Sequence, residues 1–335
     1  MNKTTILITG VAGFIGGHLA KRLCAENPEL TVVGFDNLND YYDVKLKKHR
    51  LGWLEEYKNF EFVKGDLADK TKVNEIFKKY HPQIVINLAA QAGVRYSIKN
   101  PDVFVESNIV GFLNILEACR NYKVEHLIYA SSSSVYGDNN DVPFCVDDKT
   151  DSPVSLYAAT KKSDEVMAYA YSKLYGFSAT GLRFFTVYGP AGRPDMAYFD
   201  FTNKLVNGEK IQIFNYGNCK RDFTYIDDIV EGMMRIIKKT PEKGQYRIYN
   251  IGGASAEKLW DFVSILKEEL MKAGVLPKGF DFEKQIELMP MQPGDMVETF
   301  ADTSELERDY GFKPETRLRD GLKSFARWYK KYYML

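Results

Sequence analysis

The stretch of sequence that decides the fold runs from Thr5 to Gly16 and reads TILITGVAGFIG. Its first five residues are apolar or β-branched and predict a buried strand, and the amphipathic residues 14–26 predict a helix. The turn between them carries Gly10, Gly13 and Gly16 in GxxGxxG spacing, close to the GxGxxG spacing of dinucleotide-binding turns. One glycine makes the turn, another lets backbone approach a pyrophosphate, and the last lets the helix pack closely on the strand.

The rest of the first half repeats this alternation of short apolar runs and amphipathic helical segments. The predicted strands are residues 31–35, 61–64, 84–88 and 127–131, and the predicted helices are residues 70–80 and 101–121. Short apolar strands separated by helices are typical of a doubly wound parallel sheet, the Rossmann arrangement, because helices cover both faces of such a sheet. The second half has more turn signals and scattered helical segments, which favours a smaller α/β domain.

These patterns predict an α/β protein with two domains. The first, residues 1–180, is a dinucleotide-binding Rossmann domain, and we expect residues 222–250 to return to it. The smaller C-terminal domain comprises residues 181–221 and 251–335 and would bind the substrate.

The composition is that of a globular protein with balanced charge. The chain has 335 residues, of which 45 are Lys or Arg and 45 are Asp or Glu, so the charge indicates neither nucleic acid nor an acidic membrane as a partner. Its four cysteines and four histidines have no metal-ligand spacing, and we expect free thiols and no metal site. Because we find no signal-peptide pattern and no apolar run of roughly 20 residues, we expect a cytoplasmic location.

An acidic residue at the end of the second predicted strand bears on the choice of cofactor. A carboxylate at Asp36 can accept hydrogen bonds from both ribose hydroxyls of NAD and would repel the 2′-phosphate of NADP, so the sequence predicts NAD. The helix N-terminus after the glycine turn would offer N–H groups to the pyrophosphate. The expected cofactor-binding residues are Gly10, Gly13, Phe14, Ile15, Gly16, Asp36, Asn37, Asp66, Leu67, Leu88, Ala89 and Ala90.

A tyrosine and a lysine four residues apart form the candidate catalytic pair. Tyr157 and Lys161 lie in a predicted helix that begins near Ser155, so their side chains share one helical face. An ammonium group stabilises a nearby tyrosinate, which could take a hydroxyl proton while hydride leaves the adjacent carbon. A serine from the run at 131–134 could bind the same substrate oxygen. Because Tyr and Lys also occur at this spacing by chance, the pair alone would equally suit an exposed helix face.

Six motifs together resemble the extended short-chain dehydrogenase/reductase family over essentially the whole chain. They are TGVAGFIG (9–16), NLAAQAGVRYS (87–97), ASSSSVYG (130–137), YAATK (157–161), RFFTVYGP (183–190) and RDFTYIDD (221–228). The resemblance implies a Rossmann domain with a smaller nucleotide-sugar domain, bound NAD, and an enzyme that epimerises, dehydrates, decarboxylates or reduces a nucleotide sugar. It also implies a homodimer formed through two long helices of each subunit.

The same resemblance implies roles for individual residues. Tyr157 would be the catalytic base and acid, Lys161 would assist it and bind the nicotinamide ribose, and Ser132 would be the catalytic hydroxyl. Asn108 matches a position at the cofactor site that helps to order it. Arg221 matches an arginine that contacts the pyrophosphate of the substrate.

Two segments are similar to UDP-glucuronate 4-epimerases in particular, namely residues 39–47 (NDYYDVKLK) and the loop 186–197 (TVYGPAGRPDMA). This similarity implies inversion of C4 of UDP-glucuronate through a 4-keto intermediate, with the substrate carboxylate held by hydroxyls and the planar fork of an arginine. The expected substrate-binding residues are Arg95, Ser133, Ser134, Thr186, Arg193, Arg221 and Asp295. Residues 291–295 depart from many relatives in lacking a second pyrophosphate arginine, which puts more weight on Arg221.

Three other functions stay open on the sequence. A 4-epimerase of UDP-glucose or UDP-N-acetylglucosamine is disfavoured by Thr186 and Arg193, which suit a carboxylate. A UDP-glucuronate decarboxylase is disfavoured by Ser134, because the decarboxylases that resemble this family carry Glu there. An NAD-sensing regulator would need the glycine turn but not the Tyr157–Lys161 pair.

Overall fold

The segments predicted from apolar periodicity form strands and helices in the computed structural model, which describes residues 4–139, 141–291 and 296–335. The strands are β1 (Thr5–Thr9), β2 (Thr31–Asp36), β3 (Phe60–Lys64), β4 (Ile84–Asn87), β5 (His126–Ser132), β6 (Ser178–Phe184), β7 (Thr186–Tyr188), β8 (Ile211–Ile213), β9 (Lys220–Tyr225), β10 (Tyr246–Ile251), β11 (Ala256–Lys258), β12 (Ile286–Leu288) and β13 (Glu298–Thr299). The helices are α1 (Phe14–Glu26), α2 (Val44–Gly52), α3 (Lys70–Tyr80), α4 (Val94–Lys99), α5 (Pro101–Phe104), α6 (Gly111–Asn121), α7 (Leu156–Tyr175), α8 (Ala197–Val206), α9 (Ile226–Lys238), α10 (Leu259–Ala273), α11 (Ser304–Tyr310) and α12 (Leu318–Tyr333). A π-helical segment, Val105–Val110, joins α5 to α6, and short 3-10 turns comprise Ser133–Tyr136, Phe214–Gly217 and Glu283–Gln285.

Seven parallel strands form the large sheet in the order β10-β6-β5-β4-β1-β2-β3. The chain runs outward from β1 through β2 to β3 and then crosses to β4 on the other side of β1. The carboxyl ends of β1 and β4 therefore flank the point where the strand order reverses, which is where ligands bind in open α/β sheets. The predicted doubly wound α/β fold is confirmed.

Alternate side chains of the central strands enter two apolar cores, one on each face of the large sheet. Ile6 and Ile8 of β1 lie in the core that α1 and α9 cover, whereas Leu7 lies in the core that α3 and α6 cover. All five residues of β1 are buried. Because both faces of this strand are covered, its sequence is continuously apolar instead of alternating between apolar and polar residues.

Short strands form the smaller sheets. β9 pairs with β7 and β13 in parallel and with β11 in antiparallel orientation, and β8 pairs with β12 in parallel. β7 follows β6 after a single residue, Phe185, so two consecutive strands belong to different sheets. The chain therefore passes directly from the large sheet into the segment 186–197, whose first three residues form β7.

Two of the predicted domain boundaries fall inside strands and not between them. The expected boundary between residues 180 and 181 falls within β6, and all seven residues of β6 pair in the large sheet. The boundary between residues 221 and 222 likewise falls within β9 of a smaller sheet. Backbone pairing continues along a whole strand, so sheet membership changes at the strand ends and not where the apolar pattern weakens. The division into two domains stays a prediction.

Helix α7 carries the predicted catalytic pair and has well-defined ends. Ser155 caps its N-terminus, with its Oγ accepting a hydrogen bond from the Ala158 amide at 3.1 Å, and Gly176 follows its C-terminus with φ of 75°. These caps fix where the helix begins and place Tyr157 in its first turn. Among the helices of the described ranges, none combines the length and the apolar character needed to cross a bilayer.

Candidate functional site

One cleft at the carboxyl ends of the large sheet brings most of the predicted site residues together. Its volume is about 1440 Å³, counted out to its open mouth. The predicted residues that line it are Gly10, Gly13, Phe14, Ile15, Gly16, Asp36, Asn37, Asp66, Leu67, Leu88, Ala89, Ala90, Ser132, Tyr157, Lys161 and Arg193. Candidates for cofactor binding, for catalysis and for carboxylate binding therefore share one cavity.

The glycine turn leaves no room for side chains. Gly10 has φ of 69°, a left-handed conformation, and a Cβ on it would lie 2.7 Å from the Ala89 amide nitrogen. A Cβ on Gly16 would lie 2.3 Å from the Gly10 carbonyl oxygen. Helix α1 begins directly after Gly13, and no side chain caps its N-terminus. Its first N–H groups are therefore available to an anion, which fits the pyrophosphate of a dinucleotide.

Asp36 stands at the end of β2 with its carboxylate fixed by two main-chain amides. Oδ2 accepts a hydrogen bond from Ala12 at 3.1 Å and Oδ1 accepts one from Leu38 at 2.8 Å. Burial raises the pKa of this carboxyl, although these hydrogen bonds and nearby cations oppose the rise. An oriented carboxylate in this place fits the ribose hydroxyls of NAD and disfavours the phosphate of NADP.

Asn37 and Asp66 form a second polar contact on the same wall of the cleft. The Asn37 side chain donates to Asp66 Oδ2 at 2.7 Å, and the Ala68 amide donates to Asp66 Oδ1 at 2.9 Å. Lys47 lines the cleft nearby and donates to the Asn39 side chain at 2.6 Å. The sequence reasoning gave Lys47 no role of its own, although it is the last residue of the segment 39–47.

Tyr157 and Lys161 lie on the same face of α7 and both line the cleft. The Lys161 ammonium donates to the Ala130 carbonyl at 3.0 Å and to Asp164 Oδ2 at 3.1 Å. The Tyr157 ring packs edge-on against Phe104, with 6.1 Å between the ring centroids. The lysine therefore has a fixed position one helical turn from the tyrosine.

Asp164 is a buried acid that the sequence reasoning missed. Its side chain is 1% exposed and forms an ion pair with the equally buried Lys161, while its Oδ1 has no hydrogen-bond partner among the described residues. Burial raises the pKa of the Asp164 carboxyl to about 7, even though the neighbouring Lys161 opposes this rise. The signal in the sequence was its position three residues after the predicted catalytic lysine on the same helix.

The serine run, residues 131–134, is hydrogen-bonded within itself and to a buried ion pair. Ser134 donates to the Ser132 hydroxyl from its own hydroxyl at 2.9 Å and from its amide at 3.2 Å. Ser131 donates to Glu165 at 2.6 Å, and Glu165 accepts from Nε and Nη2 of the buried Arg183 at 2.8 and 2.9 Å. Because Ser132 accepts these bonds, its own hydroxyl hydrogen stays available to a substrate oxygen.

Asn108 lies one layer behind the cleft. Residues 101–121, predicted as a single helix, contain the π-helical segment 105–110, and Asn108 is buried within it. Its side chain accepts a hydrogen bond from the Gln91 amide at 2.8 Å and donates to the Gln91 carbonyl and to Thr160, each at 3.0 Å. Asn108 thus joins the segment after β4 to the helix that carries Tyr157, without lining the cleft itself.

Arg193 meets a carboxylate within its own loop. Its Nε donates to Asp195 Oδ1 at 3.0 Å and its Nη2 pairs with Asp195 Oδ2, which also accepts a hydrogen bond from the Tyr41 hydroxyl at 3.2 Å. Burial is the largest influence on the pKa of Asp195 and would raise it, but the charge of Arg193 and the hydrogen bonds to the carboxylate together outweigh burial, so the pKa lies below its ordinary value. Asp195 was not singled out from the sequence, although it lies two residues after the predicted arginine.

Five other predicted substrate residues, all within the described ranges, do not line the cleft. Ser133 and Ser134 lie in the 3-10 turn after Ser132, and Thr186 lies between two cleft residues, Phe185 and Val187. Arg95 packs over the Phe214 ring at 4.8 Å, and Arg221 of β9 donates to the Lys220 carbonyl at 2.9 Å. Asp295 lies outside the described residues.

Comparisons with known proteins agree with this geometry. Residues 6–252 match the model of the NAD dependent epimerase/dehydratase family. Protein CapI of Staphylococcus aureus is 49% identical over 98% of this chain and 99% of its own length. UDP-glucuronate 4-epimerase 4 of Arabidopsis thaliana is 46% identical over 99% of this chain and 76% of its own length. A crystal structure of UDP-glucuronic acid 4-epimerase from Bacillus cereus, in complex with UDP-glucuronic acid and NAD, superposes with a TM-score of 0.88 at 32% identity, over 98% of this chain and 100% of that one.

The family model covers well over half of the chain, including the glycine turn, the serine run and the Tyr157–Lys161 pair. The predicted NAD cofactor is confirmed by this match, and the glycine turn and Asp36 supply the features that such a cofactor needs. This chain therefore belongs to the NAD dependent epimerase/dehydratase family of enzymes.

Proposed function

We propose that this enzyme inverts C4 of UDP-glucuronate to give UDP-galacturonate. The observation that carries the proposal is that Tyr157 and Arg193 line the same cleft as the glycine turn. A base for a sugar hydroxyl and a planar cation for a carboxylate then contact one ligand. The Arabidopsis and Bacillus relatives bear this activity in their names, and both are similar to this chain over nearly all of its length.

Tyr157 takes the C4 hydroxyl proton and later returns it. NAD, held by the glycine turn and Asp36, would supply the redox chemistry as acceptor and later donor of the C4 hydride. Ser132 donates to the same substrate oxygen, and Lys161, which Ala130 and Asp164 hold in place, provides a positive charge that stabilises the tyrosinate. The keto sugar must turn over between the two hydride transfers, so the UDP group has to stay bound throughout.

The carboxylate of the sugar creates a risk of decarboxylation, because oxidation at C4 produces a β-keto acid. Loss of CO₂ requires the bond to the carboxylate to overlap the carbonyl π system, so a fixed carboxylate orientation can prevent it. Arg193 holds that orientation together with the hydroxyls of Ser133, Ser134 and Thr186. Arg193 is the member of this group that lines the cleft directly, and the hydroxyl residues adjoin its wall.

The experiment incubates the purified protein with UDP-glucuronate and follows the sugar protons by NMR, first without and then with added NAD. We expect UDP-galacturonate to accumulate with the wild type, and the rate to fall by about 10²–10⁴ in Tyr157→Phe, which loses its proton-transferring group. Formation of a UDP-pentose would instead assign a decarboxylase. Turnover of UDP-glucose without turnover of the uronate would assign a neutral-sugar epimerase.

A further inference from the structure

Arg50 of helix α2 is a fully buried cation for which the described residues offer no ion-pair partner. It has no exposed surface, and its guanidinium donates four hydrogen bonds to oxygen atoms of neutral groups. The acceptors are the carbonyls of Ala12 at 2.9 Å, Ala191 at 2.8 Å and Gly192 at 2.9 Å, and the hydroxyl of Tyr42 at 2.8 Å. Burying a guanidinium without a hydrogen-bonded carboxylate costs free energy. The four hydrogen bonds and the nearby charge of Asp36 offset this cost, so loss of the bonds would leave a buried cation with unsatisfied donors.

The carbonyl acceptors belong to two separate parts of the cleft. Ala12 lies in the glycine turn, and its amide is the one that donates to Asp36. Ala191 and Gly192 directly precede Arg193 in the loop 186–197, here called the substrate loop. Arg50 therefore connects the backbone that would hold the cofactor with the backbone that positions the arginine for the substrate.

The loop around Ala191 needs this support. Ala191 has φ of 52°, a left-handed conformation that is costly for a residue with a side chain. A Cβ on Gly192 would overlap the hydroxyl of the buried Tyr198, so this backbone lies tightly against the core. Two donors of one rigid guanidinium, Nε to Ala191 and Nη2 to Gly192, match the two consecutive carbonyls and hold them in this conformation.

We propose that Arg50 is a positioning residue that couples the glycine turn to the substrate loop. Its hydrogen bonds to both segments fix the position of Arg193 relative to the glycine turn. The coupling itself does not depend on which sugar is bound. Only the identification of the partner of Arg193 as a uronate rests on the proposed function. Loss of the guanidinium should therefore weaken cofactor binding and sugar-nucleotide binding together.

The test compares Arg50→Met and Arg50→Lys with the wild type by calorimetric titration of NAD, UDP, UDP-glucose and UDP-glucuronate into the protein stripped of nucleotide. We expect the Kd for NAD to rise by about tenfold or more in both variants, as removal of hydrogen bonds to a charged group predicts. The affinity advantage of UDP-glucuronate over UDP should fall by a similar factor. Lysine keeps the charge but cannot reach several carbonyls at once, so it should not rescue binding.

Arg22→Met is the matched control, because Arg22 joins α1 to α9 through Glu231 and does not line the cleft. It should leave all four binding constants within about twofold of the wild type, a change below about 0.5 kcal/mol. A thermal melt of each variant separates binding effects from unfolding. Unchanged binding in a less stable Arg50 variant, loss of NAD binding alone, or failure of both variants to fold would each overturn the proposal. If wild type shows no preference for UDP-glucuronate over UDP-glucose, the proposed function fails, while the NAD and UDP titrations still test the coupling.

Discussion

At the residue scale, the pairing of Arg193 with Asp195 determines what this arginine can offer a substrate. Asp195 occupies the Nε and Nη2 donors of the guanidinium, so a uronate carboxylate would have to use the remaining Nη1 edge. Tyr41 donates to the same carboxylate and packs against Tyr96, with 4.8 Å between the ring centroids. Asp195 therefore orients Arg193 from one side while leaving the other side free for a ligand.

We predict that Asp195→Asn raises the KM for UDP-glucuronate about tenfold, because a neutral amide holds the guanidinium less firmly than a carboxylate does. The KM for UDP-glucose, which has no carboxylate, should change little. Steady-state kinetics with both sugars measures the difference, and Tyr41→Phe should show a smaller effect in the same direction. A lower KM for the uronate in Asp195→Asn would mean that Asp195 competes with the substrate instead of orienting Arg193.

A second prediction at this scale concerns Asp164 and pH. Burial raises the pKa of its carboxyl in the folded protein to about 7, against an ordinary value near 3.8. A neutral Asp164 therefore favours folding fully below pH 4, and this contribution is lost as the pH rises through 7. Asp164→Asn cannot ionise, so the free energy of unfolding of the variant relative to wild type should rise by roughly 2–3 kcal/mol between pH 5 and pH 8.

Urea unfolding at pH 5 and pH 8 measures this difference for the two proteins. A constant difference between them at both pH values would show that Asp164 does not change its charge in this range.

The residues of the site differ in how far the sequence reveals them. Asp36, Asp66 and Leu88–Ala90 could be predicted because they follow strand ends, and parallel strands end at one edge of the sheet. Arg50 could not be predicted, because its carbonyl acceptors are main-chain atoms whose positions exist only in the folded protein. The roles of Asp164 and Asp195 could not be predicted for a related reason. The charge state of an acid depends on its burial and on the cation beside it, and both exist only in the folded protein.

At the scale of elements, the turn between β1 and α1 gives the sharpest prediction. Gly16 lies in the first turn of α1, where alanine would ordinarily favour the helix by about 1 kcal/mol. Here its Cβ would lie 2.3 Å from the Gly10 carbonyl oxygen and 3.0 Å from the Val11 Cα. Backbone atoms cannot move aside as a flexible side chain would, so steric overlap outweighs the gain in helix propensity.

We therefore expect Gly16→Ala to destabilise the protein by about 1–3 kcal/mol and to weaken NAD binding more than tenfold. Thermal unfolding and NAD titration provide the two measurements. Gly52→Ala is the matched control at the end of α2, because a Cβ there meets nothing within 4 Å. Near-normal NAD binding in Gly16→Ala would show that the turn can widen and that the close approach of α1 to Gly10 is not required.

Periodicity located the long elements well and the short ones poorly. α1 and α3 occupy the residues that apolar spacing indicates, because each is long enough to display a period of 3.6, and β1 was located by its continuous apolar run. β12 and β13 have three and two residues, too few for any alternation to be visible. The π-helical segment 105–110 was also missed, because its wider turn changes the direction of Asn108 without interrupting the helical composition.

At the scale of the whole molecule, α6 and α7 pack side by side and leave a row of apolar side chains uncovered. Val110, at the end of the π-helical segment, is 42% exposed, and Leu113 of α6 is 39% exposed. On α7, the exposed fractions are 57% for Val166, 51% for Tyr169 and 71% for Leu174. Exposed apolar side chains on two neighbouring helices of a globular protein favour an interface there. A second copy of the chain, related by a twofold axis, would bring the same four-helix surface together and agrees with the expected homodimer.

The dimer prediction can be tested with charge placed in this row. Leu113→Glu would bury two carboxylates near the twofold axis, and we expect light scattering to show a dimer for wild type and a monomer for the variant. Leu288→Glu is the matched control, because Leu288 is a leucine of similar exposure (50%) on β12 of a smaller sheet and should leave the mass unchanged. A monomeric wild type, or a dimeric Leu113→Glu, would remove α6 and α7 as the interface.

If the dimer forms as expected, the outer face of α7 is buried while Tyr157 and Lys161 line the cleft on its inner face. Dissociation should then loosen the helix that holds both residues, and kcat should fall in the monomeric variant while its NAD affinity, which depends on the glycine turn and Asp36, changes less.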